Sequence, residues 1–376
     1  MKIAINTRLL QEGKLEGIGQ FTAEIFKRLC QKHPEVEWIF VFDRPYDESF
    51  RFEPSIKMAT LFPPTRHAVL WHWWFQFSLK RFLKKEKVDL YISPDGFIPL
   101  GSTTPSLAII HDLNFVHQPS NLPKIAGAYM RHYFPKYAQQ AIRIGTVSKF
   151  CRQDIAQTYD QELSKIDLIY NGVNPNFHPS PAEIQEEVRS KYSKGQDFFV
   201  FVGALNPRKN VEGMLAGYQQ YRQSGGQAHF VMVGEAMLMT QSMKLAYDHH
   251  PYKEDIHWAG RLSTKDLGPL ISSAQALLLC SHFEGFGIPI LEAFSCETAL
   301  ICANNTAMPE IAGEAALFCE ANDAQSIAAA MLRSEDAETR ESLTHLGRER
   351  LKNFSWDRSA EMMWSSIQKC LENGQS

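Results

Sequence analysis

The sequence predicts an α/β protein built from two doubly wound domains, each with its own parallel sheet. Short apolar runs alternate with amphipathic stretches along the whole chain, a pattern typical of parallel strands that helices cover on both faces. The length of 376 residues exceeds the size at which a single core usually stops growing, so we expect two domains. A polar, proline-containing segment at 174–196 separates the two repeats and predicts a linker.

Buried strands are expected where a short apolar run is bounded by turn residues. In the first half these runs are Lys2–Asn6, Trp38–Phe42, Asp89–Ile92, Leu107–Ile110 and Ile144–Val147. In the second half they are Phe198–Val202, Phe230–Val233, Ile256–Trp258, Ala276–Leu279 and Leu300–Cys302. Helices are expected between them at Gly19–Lys32, His67–Lys87, Lys124–Ala141, Val211–Arg222, Ser263–Ala274 and Pro289–Phe294. Ser263 and Asp266 form a capping box at the start of the fifth helix.

Composition and charge exclude several classes of protein. Seven cysteines are scattered without a Cys-x-x-Cys pair, which is typical of reduced thiols in a cytoplasmic protein. The first residues run directly into a strand pattern, and no run approaches the roughly 20 apolar residues of a membrane span, so we expect neither a signal peptide nor a transmembrane helix. Residues 1–172 carry 22 basic and 17 acidic side chains, whereas the remainder carries 17 and 25. Neither half is basic enough to indicate a nucleic-acid partner.

The first loop with a chemical signal follows the first strand and contains Gly17-Ile18-Gly19. Glycines at the start of a helix let the backbone approach a phosphate, which the free N–H groups and the helix dipole then bind. A dinucleotide-binding motif fits poorly, because the position of its third glycine is Thr22. A plain tight turn remains an alternative.

The second loop places Arg208 and Lys209 at the start of a helix, after the strand Phe198–Val202. Two cations are electrostatically misplaced there, because the helix dipole favours anions at that end. We expect a bound anion to compensate them, and a diphosphate suits this role. Two solvated surface cations are the alternative.

The third loop contains Glu284, with Glu292 eight positions further on and one turn into the next helix. A carboxylate can accept hydrogen bonds from two neighbouring hydroxyl groups, so Glu284 suits a sugar diol and Glu292 a ribose. The backbone N–H groups from Gly285 to Ile288 lie at a helix start, where they can bind an anion or a hydroxyl. The alternative, that Glu284 only caps the helix, leaves the neighbouring glycines unexplained.

The arrangement Glu284-x7-Glu292 around Gly285-Phe286-Gly287-Ile288-Pro289 resembles the signature of family 4 retaining glycosyltransferases, which have the GT-B fold. Further similar motifs follow in the family's order: Gly17-Ile18-Gly19, His111-Asp112-Leu113, Thr146-Val147-Ser148, Asn171-Gly172-Val173, Pro207-Arg208-Lys209-Asn210 and Pro309-Glu310-Ile311-Ala312-Gly313. The resemblance covers nearly the whole chain and leans toward bacterial mannosyltransferases of surface polysaccharide synthesis.

The resemblance implies two Rossmann-like domains that face a cleft. Residues 1–173 would form the N-terminal, acceptor-side domain, and residues 197–356 the C-terminal domain that binds the nucleotide-sugar donor. Phe354-x-Trp356 also resembles the family, in which a last helix, here about 357–376, crosses back onto the N-terminal domain.

The resemblance also implies roles for individual residues. Catalytic roles fall to His111 and Glu284, with Asp112 as either a companion of His111 or a structural cap. The donor diphosphate would be bound by Gly17, Gly19, Arg208 and Lys209, the donor sugar by Glu284, Gly285, Phe286 and Gly287, and the nucleotide ribose by Glu292.

Three positions depart from the family pattern. Glu297 replaces a glycine, Ala299 replaces a proline, and Cys280 stands where a proline is usual before Ser281. These positions shape the turn behind the donor pocket, so they bear on which sugar is bound more than on the reaction.

The implied reaction is transfer of a hexose, with mannose from GDP-mannose favoured, to a glycan or lipid-linked acceptor with retention of configuration. The sequence contains no Asp-x-Asp motif for a divalent metal, so we expect neither a metal nor another cofactor. Arg208, Lys209 and helix N-termini would stabilise the leaving diphosphate instead. A nucleotide-sugar epimerase or a phosphorylase of the same architecture is one alternative, and a non-catalytic nucleotide-sugar binder is another.

An aromatic and basic segment at 66–91 suggests where the acceptor comes from. Helical spacing predicts that Trp73 and Phe77 lie on a flank beside Lys80, Arg81 and Lys84. Such a flank suits the headgroups of an anionic bilayer, so we expect a cytoplasmic protein with peripheral contact on the inner membrane face. Packing of both aromatic side chains under a neighbouring loop is the alternative.

Overall fold

A computed structural model of the chain describes residues 1–13, 15, 17–236 and 238–373. These residues form two compact units. The first comprises residues 1–172 and the C-terminal stretch from Ser355, and the second comprises Val173–Phe354. The segment 174–196, which the sequence marks as a linker, belongs to the second unit and contains a twelve-residue helix, Ala182–Ser193.

The first unit has a seven-stranded sheet in which every neighbouring pair of strands is parallel. Its strands are β1 (Lys2–Asn6), β2 (Glu37–Phe42), β3 (Lys57–Thr60), β4 (Leu90–Ser93), β5 (Ser106–Ile109), β6 (Arg143–Thr146) and β7 (Ile166–Leu168). The strand order is β3-β2-β1-β4-β5-β6-β7, so the direction of winding reverses between β1 and β4.

The second unit has a six-stranded sheet, also parallel throughout. Its strands are β8 (Phe198–Val202), β9 (His229–Val233), β10 (Ile256–Gly260), β11 (Ala276–Leu279), β12 (Ala299–Ala303) and β13 (Leu317–Cys319). The order is β10-β9-β8-β11-β12-β13, and here the winding reverses between β8 and β11. The predicted fold class, two doubly wound parallel sheets, is confirmed.

Helices connect these strands, and a further helix forms the C-terminal part of the described chain. They are α1 (Gly17–Lys32), α2 (Ala68–Trp73), α3 (Lys80–Glu86), α4 (Asn114–His117), α5 (Lys124–Gln140), α6 (Lys149–Tyr159), α7 (Ala182–Ser193), α8 (Val211–Gln223), α9 (Gln241–Asp248), α10 (Thr264–Ser272), α11 (Ile288–Ser295), α12 (Met308–Ala312), α13 (Ala324–Arg333), α14 (Ala337–Leu351) and α15 (Trp356–Asn373). The predicted helix His67–Lys87 is interrupted by a π-helical segment, Trp74–Leu79, between α2 and α3.

The C-terminal helix α15 packs on α1 within the first unit. The indole of Trp364 stacks on His33 with ring centroids 3.5 Å apart, and Arg28 of α1 donates to Asp357. Gly172 explains part of the Asn171-Gly172-Val173 motif, because a Cβ there would lie 2.3 Å from the backbone nitrogen of Trp356. The end of the predicted helix at 374–376 lies outside the described residues.

The turn after α11 explains why the family pattern has a glycine at the position of Glu297. This residue has a φ of 55° and follows the helix end, while the N–H of Thr298 donates to the carbonyl of Ala293. This is the Schellman arrangement, in which glycine is preferred because a Cβ is disfavoured in the left-handed region. Its carboxylate lies 3.4 Å from Arg348 in an exposed ion pair, which offsets little of that cost.

We therefore expect Glu297→Gly to be more stable than Glu297→Ala by about 1 kcal/mol. Both variants lose the ion pair with Arg348, so their difference isolates the backbone strain. The measurement is urea unfolding of the two variants under identical conditions. Equal midpoints and slopes would show that the left-handed backbone at this position costs nothing.

Candidate active site

The loops after β8 and β11 lie side by side at the point where the second sheet reverses its winding. In open parallel sheets this switch point, beyond the carboxyl ends of the strands, is where ligands bind. Arg208 and Lys209 follow β8, and Glu284 follows β11. The topology therefore joins two loops that are about 75 residues apart in sequence.

Glu284 binds both cations directly. The Nη1 of Arg208 donates to its Oε2 at 2.8 Å, and the Nζ of Lys209 donates to its Oε1 at 2.6 Å. Glu284 is 5% exposed and Lys209 is 8% exposed, so the ion pairs are buried. The alternative of two solvated cations is wrong, and the anion that compensates them within this unit is Glu284 itself.

The pKa values of this group follow from burial and from the short contacts. Burial raises the pKa of Glu284, but Arg208 and Lys209 outweigh it and lower the pKa to about 2. Burial also lowers the pKa of Lys209, which Glu284 partly counteracts. At neutral pH the carboxylate and the two cations carry a net charge of +1.

Asparagine side chains hold the Arg208–Lys209 turn in place. Asn206 accepts from the N–H of Lys209 at 3.2 Å and caps the short turn that contains both cations. Asn210 adopts a φ of 57° and caps α8, and its Nδ2 donates to the carbonyls of Cys280 and Ala321. Asn210 thus links the turn after β8 to the segment that leads into the Glu284 loop.

Glu292 lies on α11 and is partly buried. Burial raises its pKa to about 7, and Lys209 acts in the opposite direction. Among the residues that the structure describes, none donates a hydrogen bond to its carboxyl group. A partly buried acid without a protein partner is suited to bind the hydroxyl groups of a ligand.

The glycine-rich loop between these two acids forms the start of α11. Gly287 has a φ of 90° and occupies the capping position, without a side-chain hydrogen bond to the helix. The alternative role of Glu284 as a helix cap is therefore wrong. The ring of Phe286 packs edge-on against Phe354 with centroids 5.9 Å apart, so its side chain is structural. The backbone groups of Gly285 to Gly287 remain the predicted sugar-binding donors.

The sequence did not identify the loop after β12, which forms hydrogen bonds with the backbone of the Glu284 loop. The hydroxyl of Thr306 accepts from the N–H of Glu284 at 3.2 Å, and Asn305 donates to the carbonyl of Ser281. The polar run Asn304-Asn305-Thr306 directly follows a buried strand, which is the signal that could have identified it.

In the first unit, Gly17 and Gly19 form the first turn of α1. A Cβ at position 19 would lie 2.8 Å from the carbonyl oxygen of Leu9, so Gly19 is required for packing against the preceding loop. Contact of this turn with a phosphate remains a prediction.

His111 lies at the carboxyl end of β5, and its Nε2 is 2.8 Å from the carbonyl oxygen of Pro94. Burial lowers its pKa, while Asp112 and Asp95 act in the opposite direction. Asp112 accepts from the N–H of Asn114 at 2.9 Å, which is the role of a structural cap.

Among the described residues, no three His, Cys, Asp or Glu side chains are grouped so that they could hold a metal ion. In the same part of the chain, no helix is both long enough and apolar enough to cross a membrane.

The raised pKa of Glu292 predicts a pH-dependent stability. Its folded pKa of about 7 lies above the ordinary 4.5, so ionisation penalises the folded state as pH rises through this window. Relative to Glu292→Gln, we expect wild type to lose about 3 kcal/mol of unfolding free energy between about pH 4.5 and about pH 8.5.

Urea unfolding of both proteins at the two pH values measures this difference, with the exposed Glu183→Gln as the control. A wild-type protein that gains stability over Glu292→Gln as pH rises would contradict the raised pKa.

Two family models match the chain, one in each half. The model described as Glycosyltransferase Family 4 matches residues 15–177, and the model described as Glycosyl transferases group 1 matches residues 183–350. Together they account for most of both units.

The chain is also similar to two proteins named as O-antigen mannosyltransferases. It is 27% identical to the O-antigen chain mannosyltransferase B of Escherichia coli over 95% of this chain and 97% of that protein. It is 26% identical to the O-antigen chain mannosyltransferase RfbU of Salmonella typhimurium, over 58% of this chain and 57% of the relative.

Solved structures show the same fold. Sucrose-phosphate synthase from Thermosynechococcus elongatus superposes with a TM-score of 0.79 and 16% identity, over 99% of both chains. Anabaena HepE in complex with UDP and glucose superposes with a TM-score of 0.75 and 15% identity, over 98% and 99% of the two chains. The fold is GT-B, and the two family models identify a glycosyltransferase domain in each half of the chain.

Proposed function

We propose that the protein is a retaining hexosyltransferase that takes its sugar from a nucleotide diphosphate sugar. The acceptor is a glycan or a lipid-linked saccharide in cell-surface polysaccharide synthesis. The observation that carries this proposal is the buried group of Glu284, Arg208 and Lys209 beside Glu292, whose carboxyl group has no donor among the described residues.

Arg208 and Lys209 bind the donor diphosphate in this proposal. Their ion pairs with Glu284 hold both cations in fixed positions before a ligand arrives, so little reorganisation is required as charge develops on the leaving group. The net positive charge of the group supplies the attraction. This source of positive potential supports a reaction without a metal or another cofactor.

Glu284 contacts the transferred sugar. An ionised carboxylate has about four acceptor sites, and the two cations use two of them. The remaining lone pairs can accept hydroxyl hydrogens of the sugar, while the N–H groups of Phe286 and Gly287 donate to its oxygens. Glu292 accepts from the ribose, and His111 contacts the reacting sugar.

The leaving phosphate takes the acceptor's proton in a front-face reaction that retains the anomeric configuration. The group 1 domain model supports glycosyl transfer as the reaction. Two relatives named as O-antigen mannosyltransferases support mannose as the sugar, and hence GDP-mannose as the donor.

A panel of nucleotide sugars tests this function. In the presence of excess EDTA, we expect transfer from GDP-mannose to a lipid-linked saccharide, with turnover at least 10-fold above that from UDP-glucose. Product formation is followed by mass spectrometry. Complete loss of transfer on chelation, restored by Mg²⁺ or Mn²⁺, would contradict metal independence. Transfer from a different nucleotide sugar only would show that mannose is not the transferred sugar.

Replacing Arg208 or Lys209 by Ala should reduce turnover at least 100-fold, or about 2.7 kcal/mol of transition-state stabilisation. The exposed Lys265→Ala is the matched control. Because each change also leaves Glu284 with one cation fewer, assays are run below the melting temperature of each variant. Near-normal turnover in both variants would remove the diphosphate-binding role.

We propose that the first unit rests on an anionic membrane surface through α2, the π-helical segment and α3. Trp73 is 57% exposed and Phe77 is 53% exposed, with Val69 one turn earlier on the same stripe. The exposure of both aromatic side chains argues against packing under a loop. From Ala68 to Lys85 these helices carry no acidic residue.

The prediction that Lys80 belongs to this exposed basic flank is wrong. Lys80 is partly buried and its Nζ donates to the carbonyl of Leu100 at 3.0 Å, so it holds a loop rather than facing solvent. The exposed cations next to the aromatic pair are Arg81, Lys84 and Lys85. Each contributes about 1 kcal/mol near an anionic surface.

Wild type should therefore sediment with phosphatidylglycerol vesicles and be released by salt. The triple variant Arg81/Lys84/Lys85→Glu should not sediment. A triple variant with the same charge change in the second unit, Lys244/Lys265/Arg333→Glu, serves as the control. Equal binding by all three proteins, or none by wild type, would remove the membrane from the proposal.

A further inference from the structure

The switch point of the first sheet holds a buried ion pair that sequence reasoning did not identify. Arg8 follows β1 and Asp95 follows β4, the two strands between which the winding reverses. The Nε of Arg8 donates to the Oδ2 of Asp95 at 2.6 Å, and Asp95 is 8% exposed. This is the position at which open parallel sheets bind ligands.

Both carboxylate oxygens of Asp95 accept hydrogen bonds from neighbouring side chains. Its Oδ1 accepts from the Nδ2 of Asn6 and from the hydroxyl of Ser93, both at 2.8 Å. The N–H of Gly96 donates to the carbonyl of Ser93 at 3.1 Å and closes a tight turn around Pro94. These bonds fix the turn 93–96 to β1 and to Arg8.

The carbonyl of Pro94, at the centre of this turn, is the hydrogen-bond partner of His111. A carbonyl oxygen only accepts, so the Nε2 of His111 carries the hydrogen in their 2.8 Å bond. In the neutral imidazole the lone pair then lies on Nδ1. Phe21 packs edge-on against the ring with centroids 4.9 Å apart, and Cys151 donates to the backbone carbonyl of His111.

We propose that Asp95 is a positioning residue, which fixes the tautomer and the ring orientation of His111 through the turn 93–96. His111 thereby presents Nδ1 as an acceptor for a hydroxyl group of the sugar. The contact with the sugar rests on the proposed function, whereas the tautomer depends only on residues of the first unit.

The charge state of His111 is consistent with this role. Burial lowers its pKa, so the ring is neutral near pH 7 and can accept a hydrogen bond. Asp112 and Asp95 are the charged groups that act on the ring, and both act against this lowering. The elements packed against the ring contribute Phe21 from α1 and Cys151 from α6.

A purely structural role for the ion pair makes a different prediction. The guanidinium of Arg8 lies 5.2 Å from the ring of Phe97 and 5.7 Å from that of Phe75, so it also packs against the core. If Asp95 served only to stabilise this packing, its replacement would lower stability and leave the His111 tautomer unchanged.

The experiment records ring ¹⁵N shifts of His111 in full-length wild type and in Asp95→Asn, with the signal assigned by its absence in His111→Gln. Wild type should show a single Nε2–H tautomer. In Asp95→Asn the amide nitrogen faces the donors of Asn6 and Ser93, so the turn loosens and both tautomers should be populated. The control is Asp167→Asn, which removes another partly buried carboxylate of this sheet and should leave His111 unchanged.

A swap variant keeps the test decisive if Asp95→Asn folds poorly. In Asn6→Asp combined with Asp95→Asn, the amide at position 95 can donate to the carboxylate at position 6, so the single tautomer should return. An unchanged single tautomer in Asp95→Asn, or a mixture in wild type, overturns the proposal.

Turnover separates this proposal from the proposed function. With GDP-mannose, Asp95→Asn should lose at least 10-fold in kcat, with the donor KM within about twofold of wild type and recovery in the swap. A mixture of tautomers with unchanged kcat would support the positioning of His111 by Asp95 and instead remove His111 from the proposed transfer reaction.

Discussion

The pairing of one buried carboxylate with two cations organises the second unit's candidate site. Taking Glu284 and Lys209 out of water costs several kcal/mol per ion, which the short contacts between them must offset. Removing one partner would leave an uncompensated buried charge, at a cost of about 3–5 kcal/mol. Hydrogen bonds of Asn206 and Asn210 hold the loop with the two cations, and a hydrogen bond of Thr306 holds the backbone of Glu284. The group is therefore rigid before any ligand binds.

The two units place charged side chains at equivalent points of their sheets. In each, the winding reverses beside the first strand of the unit, and loops from the two strands at that point meet through an ion pair. In the first unit Arg8 is paired with Asp95, whose carboxylate also accepts hydrogen bonds from Asn6, Ser93 and the N–H of Phe97. In the second unit Glu284 keeps unused acceptor sites. The first arrangement is thus suited to hold a loop, and the second to bind a ligand.

The sequence predicted the core strands closely, and β8 and β11 to the residue, because a buried parallel strand is a continuous apolar run. It missed the short strands β3, β7 and β13, of which β3 is only partly buried and carries no such run. It marked the region of α7 as a linker because that helix is mostly polar and exposed. The residues of the site were recognised by motif, but the bonds from Glu284 to Arg208 and Lys209 were not. Those bonds depend on β8 and β11 being neighbours, which is a property of strand order.

Calorimetric titration of GDP into wild type, Glu284→Gln and Glu292→Gln tests the central claim most directly. Glu284 is assigned to the sugar and Glu292 to the ribose, so only Glu292→Gln should weaken binding of the free nucleotide, by about 10-fold or 1.4 kcal/mol. Glu284→Gln should bind GDP nearly as wild type does, although transfer is lost. The reverse ranking, with GDP affinity lost only in Glu284→Gln, would contradict this account of the site.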